Sequence, residues 1–393
     1  VYCDEAPKRS DKGGILDSDK SNAPDGVVGP RREKEGSYYA IRAQWSPIQL
    51  KPLLITNHFD GRFLLTNEYT FTNLKDCRMT YKVLSCGTPL QGNAEAGKVI
   101  AEGKVQLPSI NPGETGTARF ELPDSFRKGD VLELEAFDRE GKSICNWTYP
   151  IHLAKQYFER NLAQTTLTPA PQKAEARQTS DAIELKSSKV SITFDAATGM
   201  IRHIKSGETE VPFKDGPVAI GMKMRYEPSL SYTRHSSDGA IYCAKYKGAA
   251  DSIVWRLTNE GLLYMDAIGS GGGGFDDAFM DAQVFNLGLS FSYPEQNCSG
   301  MKWMGRGPYR VWKNRIPGTN YGIWHKDYNN TITGESFENL IYPEFKGYHA
   351  NLYWATLEGE KTSFTVYSRN DGTFFRVFTP EEPAGRIKDT MPA

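Results

Sequence analysis

What this 393-residue chain is short of narrows it first. It has no excess of charge: 47 Lys and Arg stand against 48 Asp and Glu, a formal net charge of -1. Without a basic surplus to hold a polyanion, no nucleic-acid partner is expected. No run of 18 apolar residues occurs, so no helical membrane span and no membrane partner are expected. The start, VYCDEAPKRS, lacks the basic-then-apolar order of a signal peptide and reads as a strand cut open. The six cysteines (Cys3, Cys77, Cys86, Cys145, Cys243, Cys298) form no CxxC pair, which argues against a zinc site or a disulfide scaffold. None of the six histidines pairs with a cysteine or another histidine at ligand spacing, and no GxSxG appears.

What is abundant points to strands. The chain carries 20 Tyr, 19 Phe and 7 Trp alongside 37 Gly and 22 Pro. Aromatic and β-branched residues between turn-formers favour pleated structure, so the expected class is mostly β.

Residues 1–45 stand apart, with a strand-like VYCDE, a polar loop, and then PRREKEGSYYAIRAQW. There Tyr38, Ile41 and Trp45 fall at helical spacing, Pro30 suits a helix start, and Ser46-Pro47 suits a stop. One strand and one helix cannot cover their own apolar faces, so this stub needs a larger α/β body. Across 46–158, seven segments alternate apolar and polar residues: LLITNHF, FLLTNEYTF, RMTYKVLS, KVIAEGKVQL, GTARFELP, DVLELEAFD and ICNWTYPIHL. Turn signals such as DG, NPG and KGD separate them, which predicts an immunoglobulin-like sandwich without the Cys-Trp-Cys hallmark.

Residues 159–182, with PAP and no apolar period, read as a linker. From 183 to 393 strand signals return, with hairpins at Ala-Thr-Gly and Asn-Glu-Gly, and a large two-sheet sandwich is expected. Its end, DTMPA, carries no closing signal, so the sandwich is expected to be truncated.

Several stretches mimic sites. DSDKSNAPDG fails as a calcium loop because Asn22 and Val28 stand where Gly and Glu are required, so an Asx-rich turn is expected. GSGGGGFDD has no following Lys-Ser or Lys-Thr and reads as a hairpin loop, with Asp276, Asp277 and Asp281 as weak ligand candidates. His58, His152 and His203 fall in strand patterns and are expected to be half-buried sheet residues. For glycosidic cleavage by paired carboxylates, Asp4-Glu5 and Glu33/Glu35 are the stub's acids outside its loop, but two residues apart on a helix face different ways.

Trp303, Tyr309, Trp312, Tyr321, Trp324, Tyr328, Tyr342, Tyr348, Tyr353 and Trp354 crowd into 52 residues. Each ring is expected chiefly in a core or domain contact, with at least one facing a sugar.

WMGRGPYRVWKNR (303–315) resembles the W-x-G-x-GP motif in the last domain of family 2 glycoside hydrolases of the β-galactosidase type. YPEFKGYHANLYWATL resembles the segment that follows it there. APDGVVGPRREKEGSYYAIRAQWSPIQL is similar to the end of that family's (β/α)8 barrel, and TNEYTFTNLKDCRMTYKVL and GKVIAEGKVQL are similar to its immunoglobulin-like domain. The resemblance implies a barrel end at 1–45, an immunoglobulin-like sandwich at 46–158 and a large galactose-mutarotase-like β-supersandwich at 183–393.

It also implies cleavage with retention by two glutamates on barrel strands before the last one, so no residue here is nominated as catalytic and the chain alone is expected to be inert. The glycines and proline of 305–308 are expected to make a tight turn, with Arg306, Arg310, Lys313 and Arg315 serving carbonyls and acids across a domain contact. Asp25 falls where the family has a sodium-binding asparagine, and Tyr2 and Asp4 fall at the face of the barrel where sites gather. Trp312 and Trp324 are the rings nominated for sugar contact. Sodium or magnesium in the parent enzyme, a β-galactoside or oligosaccharide ligand, the parent's barrel and N-terminal domains, a homo-oligomer, and a bacterial periplasmic or cytoplasmic location belong to the same implication. The rival readings are non-catalytic carbohydrate-binding sandwich modules, or a structural adhesin of immunoglobulin-like domains.

Overall fold

A computed structural model describes residues 8–9, 15–16, 27–28, 32, 34–269, 287–311, 316–329 and 345–379. Along the chain, β1 (Lys8–Arg9) pairs antiparallel with β2 (Ile15–Leu16), and α1 spans Gly36–Gln44. Then come β3 (Ile48–Leu50), β4 (Arg62–Asn67), β5 (Arg78–Ser85), β6 (Lys98–Val105), β7 (Thr115–Arg119), β8 (Val131–Phe137), β9 (Ser143–Pro150) and α2 (Ala154–Ala163).

A second run holds β10 (Glu175–Gln178), β11 (Ala182–Lys186), β12 (Val190–Asp195), β13 (Ile201–Ser206), β14 (Thr209–Val211), β15 (Lys214–Ile220), β16 (Met224–Tyr226), β17 (Tyr232–Ser236), β18 (Gly239–Gly248), β19 (Ser252–Thr258), β20 (Leu263–Ile268) and β21 (Gly288–Ser292). The last run holds β22 (Gly300–Gly307), β23 (Asn320–Asp327), β24 (Gly347–His349), β25 (Trp354–Glu358), β26 (Phe364–Tyr367) and β27 (Phe375–Val377). The fold is mostly β, and among the described residues no helix is long and apolar enough to cross a membrane. The described elements group into two compact units, one holding the elements up to α2 with β22 to β27, the other β10 to β21.

In the first unit, sheet β3-β4-β7 faces sheet β6-β5-β8-β9. The two-residue period of the sequence sends Phe63 and Leu65 from β4, Met79, Tyr81 and Val83 from β5, and Leu132, Leu134 and Ala136 from β8 into one core with Phe120 and Phe126. Register pairs Tyr81 with Leu134 and Val83 with Leu132, so large and branched side chains lie opposite each other. Each fully buried apolar side chain contributes about 1.5–3 kcal/mol. Asn67 survives in this core because all its polar atoms are used: its amide donates to the Thr72 and Ile110 carbonyls and its Oδ1 accepts from the Tyr69 amide.

The expected seven-strand sandwich is therefore present, with one shift. LLITNHF forms no strand, since a turn at Thr56 to Phe59 breaks it, and the first strand is β3 instead. His58 is accordingly exposed in that turn rather than half-buried in a sheet. His152 is half-buried beside α2, and His203 stands exposed on β13 against Glu210.

The stretch 159–182 contains the end of α2 and the whole of β10. α2 begins upstream at Ala154, and its buried Ala154, Tyr157, Phe158 and Asn161 make an apolar stripe that the later residues alone do not reveal. α1 starts at Gly36, well after Pro30, because Arg32 adopts φ 66 and Val28 bridges to Lys34, conformations no helix allows. Trp45, read as part of its apolar face, is 81% exposed.

The second unit builds a meander, β10-β11-β12-β13-β14, and a sheet β16-β18-β19-β20 to which β17 adds by pairing β18. Ile183, Leu185, Ile192, Phe194, Tyr242, Ile253, Trp255 and Leu257 form its core. Both expected hairpins are there. Asp195 Oδ1 accepts from the Ala197 and Thr198 amides, while Gly199 and Gly261 supply φ 71 and φ 94.

Candidate functional site

The GRGPYR segment brings the sequence motif together with the rings of Tyr39, Trp303, Tyr309 and Trp324. Its glycines do not make the expected tight turn, because Gly305 and Gly307 are the last residues of β22, fully paired with Gly322 and Asn320 of β23. The glycines answer to close approach. A Cβ on Gly307 would lie 2.5 Å from the Trp324 ring, and one on Gly305 would lie 3.1 Å from the Ala350 carbonyl oxygen. Trp324 lies against this glycine track, half-buried, with its indole N–H donating to the Gly305 carbonyl at 3.1 Å. Its cross-strand partner Trp303 is fully buried and donates to the Arg306 carbonyl at 3.1 Å.

Of the four basic residues, the two that are described, Arg306 and Arg310, serve carbonyls. Arg306 donates to the Thr319 carbonyl at 3.0 Å and lies 4.6 Å over the Tyr321 ring, and Arg310 donates to the Lys346 carbonyl at 3.2 Å. Gly347, at φ 125, leaves room for the Arg310 stem, since a Cβ there would sit 2.8 Å from its Cδ. Lys346 and His349 flank this place and are both 0% exposed. His349 stacks edge-on to Trp303, with ring centroids 4.7 Å apart. Burial first, then the Lys326 charge and more weakly Arg310, hold the imidazole down at a pKa of about 3, so it is neutral at physiological pH.

The motif is also a docking surface for α1. Tyr39 stacks on Tyr309 with centroids 5.3 Å apart and planes at 26°. Burial, with help from its contact to Tyr39, raises the Tyr309 phenol well above its ordinary range. Gly318, at φ 85, presses its backbone onto the same helix, with an added Cβ falling 2.3 Å from the Tyr39 carbonyl. One turn further along α1, Arg42 donates to the Ile144 carbonyl at 2.8 Å and the Ser143 carbonyl at 3.1 Å. The helix thus bridges β9 of the immunoglobulin-like sandwich to the segment between β22 and β23.

Gly318→Ala is expected to undock α1, lowering the urea midpoint and exposing the Arg42 bond to trypsin. Tyr39→Ala should do the same more mildly, as loss of one stacked pair is worth about 0.5–1.5 kcal/mol beyond area. Unchanged digestion of Gly318→Ala would show that the helix does not depend on this contact.

Of the sequence-nominated site residues, Trp324 is placed as above. Tyr2, Asp4, Asp25 and Trp312 lie outside the described residues, as do Asp276, Asp277, Asp281, Glu33, Lys313, Arg315 and Tyr342. Among the described residues no three His, Cys, Asp or Glu side chains gather as metal ligands. Of the eight described rings of the cluster, Trp303, Trp354, Tyr353 and Tyr321 are buried and Tyr309, Trp324, Tyr328 and Tyr348 are half-buried. Sequence reasoning missed His349 and Lys346 as interior groups and Tyr39 and Arg42 as docking groups. The signal for Arg42 was its place in the last turn of the helix, one turn after Tyr38 and Tyr39 on the same face.

Fold and site together define a chain of packed β-sandwich units in which a helix docks between an immunoglobulin-like sandwich and a Trp-x-Gly-x-Gly-Pro strand end. Residues 63–146 match the family model described as β-galactosidase, domain 4. No curated protein matches the chain in sequence. Among solved structures, a complex of Amycolatopsis orientalis exo-chitosanase with PNP-β-D-glucosamine is similar at 11% identity and a TM-score of 0.18, covering 62% of this chain. This chain spans 29% of that protein.

Proposed function

We propose that this chain is the C-terminal portion of a retaining glycoside hydrolase acting on terminal β-galactosides, and that its own residues brace a catalytic barrel rather than break the bond. The observation that carries the reading is the β-galactosidase domain 4 match over residues 63–146, a stretch that runs from β4 into β9, six of the sandwich's seven strands. The docking of α1 supports it, because a helix held through Tyr39 on Tyr309 and, one turn on, through Arg42 on β9 is a strut, with its polar and aromatic groups spent on backbone and ring contacts. Asp130, the buried carboxylate whose pKa is raised, is committed to Arg160 and the Cys86 amide, which suits a structural role better than proton transfer. Burial of Trp303 and Trp354, and use of the Trp324 indole N–H by Gly305, weigh against stand-alone carbohydrate-binding modules.

The natural reading frame that contains this chain, expressed whole, is expected to release p-nitrophenol from p-nitrophenyl β-galactoside, and the 393-residue chain by itself to release none. Turnover by the chain alone would overturn the bracing role. A whole frame that cleaves other aryl β-glycosides but not the galactoside would overturn the substrate class.

A further inference from the structure

A cleft of about 170 Å³ opens in the first unit where the end of β9 and the start of α2 meet the strand β23 and the loop before β25. Its rim is apolar and partly in water: Leu54 is 71% exposed and Leu153 46%, with Pro150 between them. The rest of its lining is polar and aromatic, with Asn351 half-buried and Asp371 exposed. The Asn351 amide donates to the Tyr321 hydroxyl at 2.6 Å, which leaves Asn351 Oδ1 with no hydrogen bond among the described residues. Asp371 Oδ1 accepts from the Ala154 amide at the start of α2, and its second oxygen is likewise unused.

The cleft therefore presents two acceptors without a protein donor, one on half-buried Asn351 and one on exposed Asp371, beside apolar C–H groups. A ligand that fits must bring several donors on one edge and an apolar face on the other, without needing donors from the protein. Its volume is well below the roughly 300–1,000 Å³ of sites for larger ligands, so it takes one ring rather than an oligomer. We propose that this cleft binds a single uncharged sugar ring, its hydroxyls donating to Asp371 and Asn351 and its C–H face resting on Leu54, Pro150 and Leu153. The site is built from this chain alone and is independent of which glycoside the parent protein cleaves.

One small ring with two polar anchors implies a dissociation constant in the millimolar range. The test is saturation-transfer NMR on the full chain with methyl β-galactoside, methyl β-glucoside and, as a cationic competitor of similar size, cyclohexylamine. The sugars are expected to give transfer to their ring C–H protons. Leu54→Trp, which fills the cleft from an exposed position, and Asn351→Gly, which keeps the left-handed backbone at φ 54 while removing the acceptor, should each weaken binding at least about tenfold. Absence of transfer to either sugar, transfer that survives Leu54→Trp, or tighter binding of cyclohexylamine would each overturn the proposal. Failure of the whole reading frame to hydrolyse galactosides would not, since that assay reads a different place.

Discussion

Asp130→Ala is expected to destabilise the chain by about 3–5 kcal/mol, the range for stripping one partner from a buried ion pair. Asp130 is 3% exposed, and every polar atom it owns is in use. Its Oδ2 accepts from the Cys86 amide at 2.7 Å, its Oδ1 meets the Arg160 guanidinium of α2, its amide donates to the Leu84 carbonyl and its carbonyl accepts from the Ile151 amide. Alanine keeps the two main-chain bonds and orphans Cys86 N–H and Arg160 together.

Burial raises the Asp130 pKa despite the opposing pull of Arg160 and the Cys86 hydrogen bond, so the ionised carboxylate is the costly form at neutral pH. With the folded pKa above the unfolded one, this group contributes most below its unfolded value and loses that contribution as pH rises through its folded value. Asp130→Asn should cost less than alanine, since an amide oxygen still accepts from Cys86, although Arg160 loses its counter-charge in both variants. Urea titrations at constant m-value check both variants. Equal losses for alanine and asparagine would mean the charge pairing with Arg160, rather than the orphaned Cys86 amide, dominates.

The second large effect is acid sensitivity from His349. The imidazole is held near a pKa of about 3 inside the protein, against roughly 6.5 in an unfolded chain. The unfolded chain binds the extra proton first, so the contribution is fully present above about pH 6.5 and is lost as pH falls toward 3. At about 1.36 kcal/mol per pH unit, the native chain should lose roughly 2–3 kcal/mol between pH 6.5 and 4.5 from this residue alone. His349→Gln, similar in reach and without a titrating ring, should be less stable at pH 7 yet lack that part of the slope. Burial sets most of the effect, Lys326 and more weakly Arg310 repel a charged ring, and the Phe345 carbonyl favours it. Parallel slopes for the two proteins would rule out a neutral, buried His349.

The strand pattern was readable because period-two alternation and turn-formers are local properties. Tyr81, Val83, Leu132 and Leu134 face inward as their alternation requires, and Gly199 and Gly261 sit at positive φ in the hairpins they announced. LLITNHF misled because its apolar residues satisfy the same alternation, while the turn at Thr56 to Phe59 depends on a hydrogen bond that composition does not mark. The GRGPYR glycines misled for a related reason. Glycine serves both turns and close approach, and only the position of Trp324, 17 residues after Gly307 in sequence, decides between them. Asp130 and His349 were invisible in the chain because their chemistry comes from burial among residues distant in sequence.

β9 is the outermost strand of its sheet, and its free side would otherwise offer a row of amides and carbonyls to any passing strand. Arg42 blocks its start, and further along the Tyr321 amide donates to Thr148 Oγ1 at 2.7 Å. The same helix that joins two sandwiches is thus a guard against self-association, and a chain deprived of α1 should form soluble oligomers or fibrils through β9 before it loses its native spectrum.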